Sequence, residues 1–375
     1  MTSHETPPRA PSRVHQWLEL AETVVGNASD RMDAMNIFPV PDGDTGSNLY
    51  GTVRAARAAV AESATEDVGV LLATAGRAAL DQARGNSGTL LAVMLLGMSE
   101  PLNGHERLAA PTLAAALDRA RTSCWAALSD PQDGTMLSVL GAAAQAAGEY
   151  AAGLQGQPED QVMSRRELGA ALDAVVDATW QAVVQTEGQL PALSEANVVD
   201  AGGVGLMLIL DSLRATVMGT RIDPGLLDGL HGFAASAPHI HTDRESTVGY
   251  ELMCSIDLDP LTAATLRFEL NEIGDSVIMS PLGSAGDGPA AGPGSPTAPG
   301  HGDPENHGED GSGSAVRWRL HVHVDDHEAA EALVRKAGTP ENLVVTSLQD
   351  GSSQDGSSQD EGRQDGEVAG PGASA

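Results

Sequence analysis

Apolar residues recur at helical spacing through the first 220 residues of the chain. The segments are rich in Ala and Leu, which favour helix intrinsically. Short joints containing Gly or Asp separate several of them, and strand-like alternation is nearly absent. The pattern predicts an all-α domain of about eight helices, over residues 14–34, 47–63, 67–83, 88–99, 111–128, 135–151, 165–186 and 202–217.

The period changes to two beyond residue 246. Apolar residues alternate along 248–257, which is typical of a strand, and shorter strand patterns follow at 276–280 and 316–324. Helical spacing returns at 260–273 and 327–337. The order strand, helix, strand, strand, helix predicts a small α+β domain.

Two segments have the composition of disordered chain. Residues 284–314 consist mainly of Gly, Pro, Ser and Ala, and residues 349–375 open with a repeat close to QDGSS. Neither offers enough apolar area to offset the entropy of ordering. We therefore predict a multidomain chain: a helical domain at 1–220, a linker at 221–245, an α+β domain at 246–348 with a disordered insertion at 284–314, and a disordered acidic tail at 349–375.

The charge balance narrows the classes of function. The chain of 375 residues has 52 acidic and 21 basic side chains, a formal charge of −31. This argues against nucleic-acid binding, which needs basic patches. We expect no integral membrane segment, since no apolar run approaches the ~18–20 residues that span a bilayer. The N-terminus lacks the pattern of a secretion signal, so a soluble cytoplasmic protein is expected.

Two neighbouring aspartates form the most informative local pattern. Asp42 and Asp44 are flanked by glycines and follow two closely spaced prolines. Mg²⁺ prefers carboxylate and phosphate oxygens, and Asn36 could add a neutral oxygen. The alternative is an ordinary turn in which Asp44 or Thr45 caps the next helix.

Three further loops carry small residues immediately before predicted helices, at 84–89, 133–135 and 200–203. Free N–H groups at a helix N-terminus bind phosphate well, although each loop alone is also an ordinary helix joint. Loops on alternate joints of an up-down bundle fall at one end, which favours a shared site. Neither a GxxxxGK[ST] phosphate loop nor a GxGxxG dinucleotide loop after a strand is present.

The four loops read NIFPVPDGDTGSN, ARGNSG, DGTMLSV and VVDAGGVGL. In this order and spacing they resemble the signature loops of the nucleotide-binding domain shared by bacterial dihydroxyacetone kinases and fatty acid kinases. The Pro-Val-Pro before the aspartates is closer to the fatty acid kinase catalytic subunit. The later strings GYELMCSIDLD, LRFELNEIGDSVIM and LHVHVDD are similar to the middle domain of that subunit.

The resemblance implies an eight-helix barrel with ATP and Mg²⁺ at one end. Asp42 and Asp44, with Asn36, would hold two Mg²⁺ ions, and Asp42, Asp44 and Thr45 would be the catalytic residues. The implied nucleotide-binding residues are Gly46, Ser47, Asn48, Asn86, Ser87, Gly88, Thr135, Met136, Asp200 and Gly202. Such a site suits phosphoryl transfer, which depends mostly on alignment and charge neutralisation.

The implied activity is that of an ATP-dependent kinase acting on a fatty acid carboxylate. A separate fatty-acid-binding protein would present the acid, and the product would be an acyl phosphate. The family's catalytic subunit continues into a further C-terminal domain that we expect this chain to lack. Two alternatives therefore stay open: a non-catalytic nucleotide-binding scaffold or sensor, and a dihydroxyacetone-type (glycerone) kinase subunit. A homodimer also stays open.

A His-x-His pair lies on the predicted strand 316–324. His321 and His323 are two residues apart and therefore share one face of the strand. In the resembled family such a pair can join a Cys whose position here is Glu251. These three side chains are candidates for a Zn²⁺ site. The alternative is a pair of partly exposed histidines without a metal.

Overall fold

The computed structural model describes residues 11–233, 249–281 and 315–347. The segments predicted to be disordered, 284–314 and 349–375, lie outside these residues. The described residues form a mostly helical region followed by a small antiparallel sheet packed with two helices, which confirms the predicted fold class at that level. The elements are α1 Arg13–Ala34, α2 Thr45–Val60, α3 Val68–Gln82, α4 Gly85–Ser99, α5 Ala110–Ala127, α6 Met136–Gly153, α7 Glu159–Val162, α8 Arg165–Gln189, α9 Pro191–Ala196, α10 Ala201–Met218, β1 Tyr250–Leu258, α11 Pro260–Asn271, β2 Gly274–Pro281, β3 Val316–Val324, α12 His327–Ala337 and β4 Pro340–Ser347.

The long helices begin close to the predicted positions because local signals define their ends. Ser12, Asp67 and Ser164 each accept a hydrogen bond from the backbone N–H three residues later, at the starts of α1, α3 and α8. The largest difference is at α4, which begins at Gly85 instead of residue 88.

The long helices pack in chain order. Each packs against the next long helix, and α10 packs against α1. Helix α10 is the one described helix that is long and apolar enough to cross a membrane, although the sequence pattern predicted no such run. However, 83% of it is buried within the fold, and Asp211 on this helix pairs with Arg214. This degree of burial is that of a core helix.

The sheet has the strand order β2-β3-β1-β4 and is antiparallel throughout. One face packs against α11 and α12 through an apolar cluster that includes Leu252, Leu320 and Leu266. The edge strand β4 was not predicted. Half of its residues are exposed and none is buried, and it has only three apolar residues after Pro340, so its sequence gives no clear alternation.

The helical region extends beyond the predicted boundary at residue 220. Residues 223–233, here called the strap, pack on the bundle, although the sequence pattern placed them in a linker. The strap contains a 3₁₀-helix at Pro224–Leu227, and Leu230 and Phe233 are buried in the main core. Two buried side chains in a short irregular segment produce no periodic signal. The remainder of the predicted linker lies outside the described residues.

Candidate functional site

A cavity of about 670 Å³ lies where the four glycine-bearing loops meet. The alternate helix joints therefore converge at one end of the helical region, as predicted. The sheet domain forms one wall of the cavity. The predicted residues that line it are Asn36, Asp42, Asp44, Thr45, Asn86, Ser87, Thr135, Met136, Asp200, Gly202 and His323.

Six predicted residues lie outside the cavity lining: Gly46, Ser47, Asn48, Gly88, Glu251 and His321. Two of them are glycines that allow close packing. A side chain at Gly46 would collide with the backbone of Ser29 on α1, and one at Gly88 would come within 2.6 Å of Thr52 Oγ1 on α2. The structure thus shows a packing role for these glycines.

An aspartate from the preceding helix caps α2. The Asp33 carboxylate accepts hydrogen bonds from Gly46 N at 2.6 Å, Ser47 N at 3.1 Å and Ser47 Oγ at 2.7 Å. The N-cap residue Asp44 makes no such side-chain bond, so the alternative in which Asp44 caps the helix does not hold. In this arrangement Ser47 is engaged by Asp33. The sequence analysis missed Asp33 because it lies on α1, away from the motif.

Asp42 and Asp44 occupy a crowded, acidic part of the cavity. Burial raises the pKa of Asp42 to about 8, and the neighbouring Asp44 charge adds to the effect. Burial likewise raises the pKa of Asp44, and the charge of Glu251 acts in the same direction. The buried Asn36 donates its amide N–H to Asp42 Oδ1. No Lys or Arg of the described residues lines this cavity, so a bound cation would relieve the repulsion.

The second loop presents the first turn of α4 to the cavity. Gly85 has a φ of 60°, which favours glycine, and its N–H donates to Glu251 Oε1 at 2.9 Å. Arg84, the N-cap residue, makes no side-chain cap bond. Asn86 Oδ1 is buried without a hydrogen-bond partner among the described residues. This turn therefore offers polar groups to a ligand.

The third and fourth loops are joined by a buried carboxylate. Asp200 caps α10 by accepting from Gly203 N at 2.6 Å, and it also accepts from the backbone N–H of Met136 at the start of α6. Burial raises the pKa of Asp200 to about 7. Thr135 caps α6 by accepting from Leu137 N. These hydrogen bonds thus fix the first residues of α6 and α10 at the cavity.

The sheet domain reaches the cavity by docking its edge strand β2 on the segment after α5. Ser129 N donates to Val277 O at 3.1 Å, and Leu128 forms an isolated bridge with Ile278. Ile278 is fully buried in the core of the helical region. Arg267 on α11 donates to Leu128 O and to the carbonyl of Ala126. This docking brings Asn271, Gly274 and Ser276, none of which was predicted, into the cavity wall.

The three candidate zinc ligands come together on the sheet face opposite the apolar cluster. Glu251 lies directly across from His323 in the register of β1 and β3. The ligand atoms of Glu251, His321 and His323 lie within 4.8 Å of one another, which fits a His₂Glu metal set. His321 and His323 are 1% and 5% exposed, so the prediction of partly exposed histidines is wrong.

Neighbouring groups set the charge of this cluster when no metal is bound. Burial alone would raise the pKa of Glu251, but the hydrogen bond and charge of His321, together with the Gly85 N–H, lower it to about 2. The distance from Glu251 Oε1 to His321 Nδ1 is 3.2 Å. Burial and the neighbouring His321 lower the pKa of His323 to about 3. At neutral pH the cluster thus contains an ionised Glu251 and a neutral His323.

A known domain family matches most of the helical region. Residues 39–215 match the DAK2 domain. The DAK2 match contains Asp42, Asp44 and the other three loops. Asn36, the strap and the whole sheet domain lie outside it. The part of the chain that supplies most of the cavity is thus the part that matches the DAK2 domain.

Two proteins that are similar to more than half of the chain are longer than the chain itself. The protein YloV of Bacillus subtilis is 29% identical over 271 residues, covering 69% of this chain and 46% of YloV. A Staphylococcus epidermidis protein, SERP0792, is 30% identical over 224 residues, covering 60% of this chain and 36% of that protein. The chain thus spans less than half the length of these two relatives.

One solved structure similar to the chain is a dihydroxyacetone kinase. It is the enzyme from C. freundii in complex with AMP-PNP and Mg²⁺, with a TM-score of 0.41 and 20% sequence identity. The similarity covers 57% of this chain and 36% of that one.

Proposed function

We propose that the cavity binds ATP with Mg²⁺ and that the chain is an ATP-dependent phosphotransferase. The observation that carries the proposal is the convergence of Asp42 and Asp44 with three helix-starting loops in a cavity lined by no described Lys or Arg. A polyphosphate needs positive charge, and with basic side chains absent from the lining, carboxylate-held divalent cations are the remaining strong source. The DAK2 match supports the same kinase-type nucleotide-binding role.

Each lining residue then has a role that follows from its position. Asp42 and Asp44 hold the cations, and Asn36 orients Asp42 through the hydrogen bond from its amide. Thr45, Asn86 and Ser87 lie at helix starts that suit phosphate oxygens. Thr135, Met136, Asp200 and Gly202 border the rest of the nucleotide. Bound Mg²⁺ would neutralise charge on the transferred phosphoryl group.

The proposed acceptor is a fatty acid carboxylate presented by a separate fatty-acid-binding protein. A carboxylate is already ionised, so the acceptor requires no general base. The DAK2 match favours a second candidate, dihydroxyacetone, whose hydroxyl group must lose a proton. The chain is incubated with labelled ATP, Mg²⁺ and either a lipid-loaded binding protein or dihydroxyacetone. A hydroxylamine-sensitive acyl phosphate supports the first acceptor, and a hydroxylamine-stable phosphate ester supports the second.

Thermal unfolding with and without Mg-ATP tests the nucleotide site separately from turnover. We expect Mg-ATP to raise the Tm of the wild type and to have no effect on Asp42→Asn or Asp44→Asn. The matched control is Asp177→Asn, because Asp177 is an exposed carboxylate on α8, away from the cavity lining and the four loops. Stabilisation without turnover on either acceptor would support a nucleotide-binding scaffold or sensor. Equal stabilisation of all four proteins would contradict the proposed site.

The zinc prediction is a separate proposal on Glu251, His321 and His323. Zn²⁺ there would be held by two imidazoles and one carboxylate. Metal analysis of the purified chain tests it, with His321→Ala as the variant and the partly exposed His105→Ala as the control. One equivalent of zinc, lost only with His321→Ala, supports the proposal, and zinc-free protein contradicts it.

A further inference from the structure

The strap ends between two of the loops that form the cavity. Gly232 has a φ of 82°, and a Cβ atom there would lie 2.6 Å from Val198 Cγ1 and 3.6 Å from Met35 Cβ. Met35 immediately precedes Asn36, and Val198 lies two residues before Asp200. A side chain at position 232 would therefore push on the segment that carries Asp200 and would touch the segment that carries Asn36.

Other contacts fix the end of the strap in place. Val199 N donates to His231 O at 3.3 Å, and His231 Nδ1 lies 2.7 Å from Glu187 Oε2. The Phe233 ring is 2% exposed, and the Arg31 guanidinium carbon lies 5.5 Å from its centroid. The strap thus bonds to the segment before α10 and contacts the last turns of α1.

Contacts farther back along the strap hold its start to the bundle. Asp223 N donates to the buried Asp211 on α10 at 3.3 Å, and Trp180 Nε1 on α8 donates to Leu226 O at 3.1 Å. Since Asp211 and Asp200 lie about three helical turns apart on α10, the strap runs back along the bundle toward the cavity end. The strap is therefore a brace in the literal sense that hydrogen bonds and buried side chains fix it to the bundle at both ends.

We propose that the strap positions Asn36 and Asp200, with Gly232 as the residue on which their spacing depends. The inference rests on the proposed nucleotide site, because its functional consequence is the alignment of the Asp42 partner Asn36 with the Asp200 loop across the cavity. Neither Gly232 nor Phe233 lines the cavity, so both are positioning residues.

The experiment compares Gly232→Ala with Gly229→Ala. Both glycines have nearly the same φ, 82° and 81°, so alanine brings a similar backbone strain to each. A Cβ at Gly229 has no atom within 4 Å. We expect a lower Tm without ligand for Gly232→Ala than for Gly229→Ala, because the collision with Val198 adds overpacking, so affinities are compared well below both transitions. Only Gly232→Ala should weaken Mg-ATP binding, by about tenfold or more, since small misplacements of site groups have effects of this size.

Removal of the colliding atom should restore the site. In Gly232→Ala/Val198→Ala the nearest contact, Val198 Cγ1, is gone, and we expect Mg-ATP affinity to recover toward that of Val198→Ala alone. Phe233→Leu gives a second variant that keeps an apolar anchor and loses the ring over Arg31. We expect weaker Mg-ATP binding and a modest fall in Tm, because Phe233 is buried and the substitution removes core volume.

Hydrogen exchange in the nucleotide-free protein separates failure of this inference from failure of the proposed function. Gly232→Ala should speed amide exchange in peptides covering 35–37 and 198–200, whereas Gly229→Ala should not. If the wild type does not bind Mg-ATP, the proposed function fails, and the exchange comparison still tests the brace. Equal exchange and equal affinity in the two glycine variants would overturn the inference.

Discussion

The helical region and the sheet domain contribute to one cavity in different ways. In the helical region, most of the predicted lining residues sit at or just before the starts of helices, where glycines and caps mark the sequence. In the sheet domain, Asn271, Gly274 and Ser276 reach the cavity only because β2 docks on the segment after α5. Local motifs therefore reveal the first set, and only tertiary packing reveals the second.

The two regions also bury different chemistry. The helical core is a continuous apolar cluster. The sheet has one apolar face and one face that buries Glu251, Arg319, His321 and His323. Buried polar groups are costly unless they are bonded. Gly85 on α4 donates a hydrogen bond to Glu251. The docking of the two regions therefore supplies one of the hydrogen bonds that this buried polar face requires.

The largest expected effect comes from Ile278, the sheet residue buried in the helical core. Ile278→Ala should lower the free energy of unfolding by about 2–5 kcal/mol, the usual range for removing a buried aliphatic side chain. Urea denaturation followed by circular dichroism measures the change. Leu261→Ala is the control, because Leu261 is 77% exposed, and its effect should be within about 0.5 kcal/mol. Equal effects would show that the docking seen here does not persist in solution.

A smaller effect is expected at Arg267, whose guanidinium donates to two carbonyls at the end of α5. Hydrogen bonds to charged groups contribute about 1.5–3 kcal/mol, and we expect the lower end because Arg267 is partly exposed. Arg267→Ala should also speed amide exchange at Ser129, whose N–H bonds to β2. Arg267→Lys, which keeps the charge without the two-pronged donor, should fall between the wild type and alanine. Unchanged exchange at Ser129 would remove Arg267 from the docking contact.

The residues that sequence analysis missed share a physical cause. Helices α1 to α6 and the four loops were predictable because periodicity, caps and turns are local properties of the chain. Asp33 caps a helix thirteen residues away, Ile278 pairs with Leu128, and Gly232 abuts Val198. These contacts join segments that are separate in sequence, and no spacing rule encodes them.

The smallest expected effect is a pH dependence of the ligand-free protein. Burial raises the folded-state pKa of Asp42 to about 8 and of Asp200 to about 7, from 3.8. The folded state thus binds these protons more tightly than the unfolded state does, so their contribution to stability falls as pH rises from about 4 to 8. Glu251 acts in the opposite sense, but only between about pH 2 and 4.5.

His323 in the sheet cluster acts in the opposite sense up to about pH 6.5, because its pKa is lowered to about 3. The carboxylates of the helical region therefore set the dependence above that pH. The Tm of metal-free protein should fall between pH 6.5 and 8, where Asp42 and Asp200 lose their protons in the folded state. Asp42→Asn should flatten the profile, and Asp177→Asn should leave it unchanged. A profile that rises over this interval would contradict the assigned burial.

Calorimetric titration with ATP, in Mg²⁺ and again in excess chelator, tests the central claim most directly. We predict that ATP binds the wild type only with Mg²⁺. The affinity should be at least about 100-fold weaker for Asp42→Asn and Asp44→Asn, because each lost contact to a bound cation weakens the binding of a charged ligand by several kcal/mol. Binding that is equally tight without Mg²⁺, or unchanged in both variants, would contradict the account.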